Sequence, residues 1–163
     1  MRELEIQARE FVEKLSHFVD LSLIGKWEDA DSLWSLLDPM GRDWPRNFYL
    51  PGYAEYQYAR HRFRQRTLQE RDLAEAERWA IEGKTRFFIR DLHRLRGEWR
   101  LEQGKWALAA ASYQEAVRLA RERSLMDAES ETGLALARLQ LRLAADPGAV
   151  EPGLIRSQAE LSA

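Results

Sequence analysis

The sequence has no cysteine, which excludes a disulfide framework, a thiolate metal site and a cysteine nucleophile, and fits a reducing compartment. It has only five prolines and nine glycines in 163 residues, and these fall mainly between periodic runs. No alternating run of strand type occurs; Phe87-Phe88-Ile89 is the one short apolar cluster that could imitate one. No apolar stretch approaches the roughly 18 residues needed to cross a bilayer, and no basic-plus-apolar leader opens the chain. His17, His61 and His93 lie far apart, none at the spacing of a metal motif such as HExxH, so ordinary surface or half-buried histidines are the plain reading. A Gly-x-Ser-x-Gly elbow is also missing. Gly83-Lys84-Thr85 has the tail of a phosphate-binding loop, but Arg78 stands where the motif needs its first glycine. The expectation is a cytoplasmic, non-enzymatic protein with no metal and no cofactor.

The residues present argue for helices. The chain is 45% hydrophobic and 10% aromatic, enough for a real core, and Ala, Leu, Glu and Arg dominate, which favours an all-α fold. Charge is uneven. Residues 1–52 carry six Lys/Arg against ten Asp/Glu, residues 53–106 thirteen against nine, and residues 107–163 six against eight, so the middle is basic within a chain of net charge −2.

The pattern is clearest from Arg90 to Arg121, RDLHRLRGEWRLEQGKWALAAASYQEAVRLAR. Leu92, Leu95, Trp99 and Leu101 recur at helical spacing, then Trp106, Ala109, Tyr113, Ala116, Val117 and Ala120, with a break at Gln103-Gly104-Lys105. Two antiparallel helices follow. Glycine inside a helix costs about 1 kcal/mol relative to alanine, so Gly97 predicts a close helix crossing. Gly25-Lys26-Trp27, with Ala30 three places on and Trp34 four beyond that, repeats Gly104-Lys105-Trp106, Ala109 and Tyr113 at an offset of 79 residues. An internal repeat is the simplest account.

Gly97, Gly104, Trp106, Ala109, Tyr113 and Ala116 occupy the signature places of the tetratricopeptide repeat, and this stretch resembles that family. It departs from the pattern at Arg100 and at Glu122-Arg123-Ser124, where the family carries a large apolar residue and a proline. The resemblance implies an all-α, right-handed solenoid of about four antiparallel helix pairs in a single domain. These are placed at about 3–38, 53–83, 87–122 and 126–162, with a proline-broken connector at 39–52. In the second pair Leu73, Ala76 and Ala80 take the signature places of the second helix, Gly133 lies 36 residues after Gly97, and Glu151 or Pro152 opens a last helix to about Leu161. With no obvious polar capping helix before Ala163, the chain reads as a segment of a larger protein. The phrasing LAEAERWAIEGK, AAASYQEAVRLARERS and DAESETGLALARLQL also resembles the sensor repeats of bacterial STAND-class signalling ATPases, implying a sensor or scaffold role in signalling.

In such an array the first helix of each pair lines the concave side. The resemblance places Tyr58, His61, Gln65 and Gln69, then Asp91, Arg94, Glu98 and Glu102, on that face. Polar and mixed in sign, it suits a protein or peptide ligand, or another domain of the same protein. Arg94 and Glu98 stand where some family members carry the lysine and asparagine that clamp a terminal carboxylate, so recognition of chaperone tails is not expected. The alternative is a nucleic-acid-binding array using Arg60, Arg62, Arg64 and Arg66 with Arg86, Arg90, Arg94, Arg96 and Arg100. Those arginines ring their helix and form no single stripe, so neutralisation by neighbouring carboxylates is the plainer reading. Six tryptophans are many; Trp27, Trp34, Trp99 and Trp106 read as core, while Trp44 or Trp79, if exposed, would mark an interaction surface.

Overall fold

The computed structural model describes residues 2–42, 50–82, 87–122 and 126–145. Among these lie seven α-helices and no strand: α1 (Arg2–Leu23), α2 (Trp27–Arg42), α3 (Leu50–Arg64), α4 (Glu70–Glu82), α5 (Phe87–Glu102), α6 (Trp106–Glu122) and α7 (Met126–Ala145). The all-α expectation holds. No helix among the described residues is long and apolar enough to cross a membrane. The last helix at about 151–161, the Gly83-Lys84-Thr85 triplet and Trp44 lie outside the described residues.

Contacts divide the chain into two units, residues 1–88 and 89–163. In the first, α1 packs on α2, α3 on α4, and α3 also meets α1 and α2. Phe11, Leu15 and Phe18 sit one turn apart on α1 and face Ala30, Trp34 and Leu37 of α2, all buried in one cluster with Ala54 of α3. Each such large apolar side chain taken from water contributes about 1.5–3 kcal/mol. On α4 the buried positions are Leu73, Ala76 and Ala80. In the second unit α6 packs on α7, and Ala109, Ala110, Tyr113 and Leu139 form a cluster joined by Leu101 and Trp106.

The two Gly-Lys-Trp triplets occupy equivalent bends. Gly25 has φ 78° and Gly104 φ 72°, the left-handed conformation that glycine adopts without a Cβ penalty. The next N–H reaches back five residues, Lys26 to the Leu21 carbonyl at 3.0 Å and Lys105 to the Arg100 carbonyl at 2.9 Å. The lysine carbonyls then accept the Ala30 and Ala109 N–H groups at 3.0 and 2.9 Å, and both alanines are fully buried. A third bend of the same kind ends α3 without glycine: Arg66 has φ 59°, and the Thr67 N–H meets the Arg62 carbonyl at 2.9 Å. The following helix starts later, at Glu70, where the Asp72 carboxylate accepts the Gln69 N–H at 2.9 Å.

Gly97 sits at a close crossing. A Cβ built there would lie 2.7–3.1 Å from the Tyr113 ring of α6. Gly133 differs, since a Cβ there meets nothing within 4 Å, so its 36-residue offset from Gly97 does not mark a second crossing among the described residues. Two of the three prolines in the expected 39–52 connector lie inside helices. Pro39 lies inside α2, which continues to Arg42, although an interior proline removes a hydrogen bond and costs about 3 kcal/mol. Packing offsets that loss: Met40 lies against the core, and the buried Gly41 is so placed that a Cβ would lie 3.7 Å from the Phe11 ring. Pro51 falls in the first turn of α3, where its missing N–H is harmless.

Candidate functional site

In the first unit the anticipated face is largely an interior. Tyr58 stacks on Trp34, ring centroids 4.3 Å apart and planes within 6°. His61 is fully buried, with the Phe18 and Trp27 rings at 5.2 and 5.7 Å. His61 Nε2 lies 3.0 Å from Asp31 Oδ1, and Gln65 donates to Asp31 Oδ2 at 3.0 Å. His61 therefore is not displayed to a ligand, because the α1 and α2 aromatics close over it. Gln65 is half-buried and engaged, and only Gln69 is exposed.

The Asp31 contact assigns the His61 proton to Nε2 and leaves Nδ1 without a partner. A bare lone pair is tolerable there; a second buried N–H without an acceptor is costly. Burial accordingly lowers the His61 pKa, aided by Arg62 and Arg64 and opposed by Asp31. Burial also raises that of Tyr58, and Asp31 and Asp72 add to the rise against the opposing effect of Arg62. Asp31 escaped the sequence reading, although a signal existed: it lies four residues after Trp27 and three before Trp34, at the edge of the buried side of α2.

In the second unit α5 carries the other four residues at spacings of three, four and four, hence along one side. Asp91 is held by Arg90, 2.7 Å from Arg90 Nη2 to Oδ1. The Arg94 and Glu98 side chains are 37% and 42% exposed and 3.9 Å apart, and Glu102 is exposed. Adjoining sides of the helix pack inward through Leu92, Leu95 and Gly97. Arg100 donates to the Ser112 hydroxyl at 3.0 Å, tying α5 to α6. Burial, with Glu98 adding to it, pushes the Tyr113 hydroxyl up to about 12.

The arginines of the basic middle are largely engaged. Arg60 lies over the Tyr56 ring at 5.7 Å and Arg62 over Tyr58 at 5.9 Å. Arg62 also donates to the Thr67 carbonyl at 3.3 Å and stands 3.9 Å from Asp72. Arg64 donates to the Ser22 hydroxyl at 3.0 Å. Trp34 is buried, Trp27, Trp99 and Trp106 are partly so, and the Trp79 indole donates to Glu75 at 3.2 Å. No group of three or more His, Asp or Glu able to hold a metal occurs among the described residues. No protein-family model, curated protein or solved structure matches the chain.

Proposed function

We propose that the chain is a non-enzymatic helical-repeat module that binds a protein or peptide segment through the polar side of α5. In this reading the helices stack as antiparallel pairs into a right-handed, tetratricopeptide-like solenoid. The module serves as a cytoplasmic scaffold or sensor in a larger bacterial signalling protein of the STAND kind. The observation that carries the binding role is the sided build of α5: Leu92, Leu95 and Gly97 face inward while Arg94, Glu98 and Glu102 remain accessible along one line. Closely spaced charges of both signs attract a segment of complementary pattern and repel one of the wrong register. The equivalent bends at Gly25 and Gly104 support the repeat reading. A nucleic-acid role has less support, because Arg60, Arg62 and Arg64 are drawn onto tyrosines, a carbonyl and a serine.

The test is affinity capture from the source cell with the intact chain and with R94E and E98K variants. Partners recovered with the wild type should be lost with either variant, and the double reversal, which keeps an opposite-charge pair but inverts the pattern offered to a ligand, should not restore them. Capture that is identical for all forms would exclude α5 as the binding surface.

A further inference from the structure

Beyond the α5 stripe, the second unit holds a cleft of about 430 Å³ whose walls come from three helices: Leu101 of α5, Tyr113 of α6, and Ala135, Arg138, Leu139 and Arg142 of α7, with the exposed Leu141 at its rim. The α7 residues at 135, 138, 139 and 142 form one stripe at helical spacing, so a single side of that helix supplies both apolar wall and charge. Leu139 and Tyr113 are buried at the bottom, whereas Arg138 and Arg142 are exposed. Neither guanidinium has a carboxylate partner among the described residues. Like charges four apart on a helix repel each other, and here two stand together beside an apolar hollow. That repulsion disappears when an anion sits between them.

We propose that this cleft binds an amphipathic monoanion, an unbranched acyl chain ending in a carboxylate, with the chain against Leu101, Ala135 and Leu139 and the carboxylate between Arg138 and Arg142. The volume lies in the range of small-molecule sites, roughly 300–1,000 Å³, which are mostly apolar with a few placed polar groups. Guanidinium forks match a carboxylate bidentately and are less strongly hydrated than ammonium groups, so they suit a half-apolar mouth. The floor does not oppose the charge: with its pKa pushed up to about 12, Tyr113 stays a neutral phenol at ordinary pH. An inorganic anion would leave the apolar wall unused, and an apolar cation would be repelled by both arginines. The site stands apart from the protein-binding reading, whose test lies at Arg94 and Glu98, so either can fail alone.

The experiment is titration of the intact chain with decanoate below its micellar concentration, followed by calorimetry and by amide shifts in nitrogen-15 spectra, with decanol and decyltrimethylammonium as comparison ligands. Decanoate should bind with shifts centred on Leu101, Tyr113, Ala135 and Leu139. Decanol should bind at least about tenfold more weakly, and the ammonium compound should not bind there. R138Q/R142Q should weaken decanoate by about tenfold or more while leaving decanol unchanged, and A135F, which fills the hollow, should weaken both. Thermal melts of each variant establish that it is folded, and a folded A135L serves if A135F is not. The proposal is overturned if decanoate does not bind, if its shifts map elsewhere, if decanol binds as well as decanoate, or if a folded R138Q/R142Q variant binds decanoate as the wild type does.

Discussion

His61 and Asp31 are joined at 3.0 Å across two helices, and that contact has consequences measurable one residue at a time. Replacing Asp31 with alanine removes the acceptor for a fully buried imidazole N–H and frees Gln65 as well. An unsatisfied buried donor costs about 1–3 kcal/mol, and because Asp31 is itself about half exposed the lower part of that range, about 1–2 kcal/mol, is expected in urea unfolding of D31A. The pH dependence follows from burial lowering the His61 pKa. The unfolded chain then binds a proton that the folded chain does not, so stability rises with pH. The contribution is complete above the ordinary histidine value of about 6.5 and is lost progressively as pH falls below it toward the lower folded value. Urea midpoints should therefore drop between pH 7.5 and 5.5 in the wild type, and H61Q should flatten that slope. An unchanged slope in H61Q would assign the dependence to other groups.

At the scale of elements, the helix crossings and bends are where sequence and packing meet. Gly97 and Gly133 both sit inside helices, and alanine has the better intrinsic helix propensity at both. At Gly97 the new methyl would press on the Tyr113 ring at 2.7 Å. G97A should therefore destabilise by about 1–3 kcal/mol despite the propensity gain, while G133A, with nothing within 4 Å, should stabilise by about 0.5–1 kcal/mol. Chemical denaturation of the pair decides between crowding and propensity. Arg66 supplies the complementary case. Its φ of 59° strains a side-chain-bearing residue, and R66G should raise stability by about 0.5–1 kcal/mol, whereas G104A at φ 72° should lower it by about 1 kcal/mol. Gly97, the two Gly-Lys-Trp bends and the buried Ala30 and Ala109 were legible in the sequence because small residues are needed wherever backbones approach or turn left-handed. Arg66 was not, since an arginine carries no signal for a left-handed bend, and the Thr67 N–H bond to the Arg62 carbonyl closes the turn without glycine. Pro39 misled for a different reason: packing of Met40 against the core carries the helix through it.

For the whole molecule, periodicity made the helical class legible, but not which polar residues remain accessible. Burial is decided by elements far apart in the chain. His61 and Tyr58 sit on α3 at positions that a repeat pattern assigns to a groove, yet Phe18 and Trp34 from α1 and α2 enclose or stack on them. Arg94 and Glu98 stay partly exposed, 3.9 Å apart on one side of α5, and Glu102 is exposed. The cleft arginines Arg138 and Arg142 passed unnoticed because their meaning depends on the hollow that α5 and α6 build beside them. The account rests on that side of α5 being where a partner docks. Placing a photo-crosslinking amino acid at position 94, 98 or 102 of α5, and at Arg9, which is 82% exposed on α1, tests this most directly. The account predicts one set of crosslinked proteins shared by the three α5 positions and missing from position 9; the same set at all four positions, or none from α5, would contradict it.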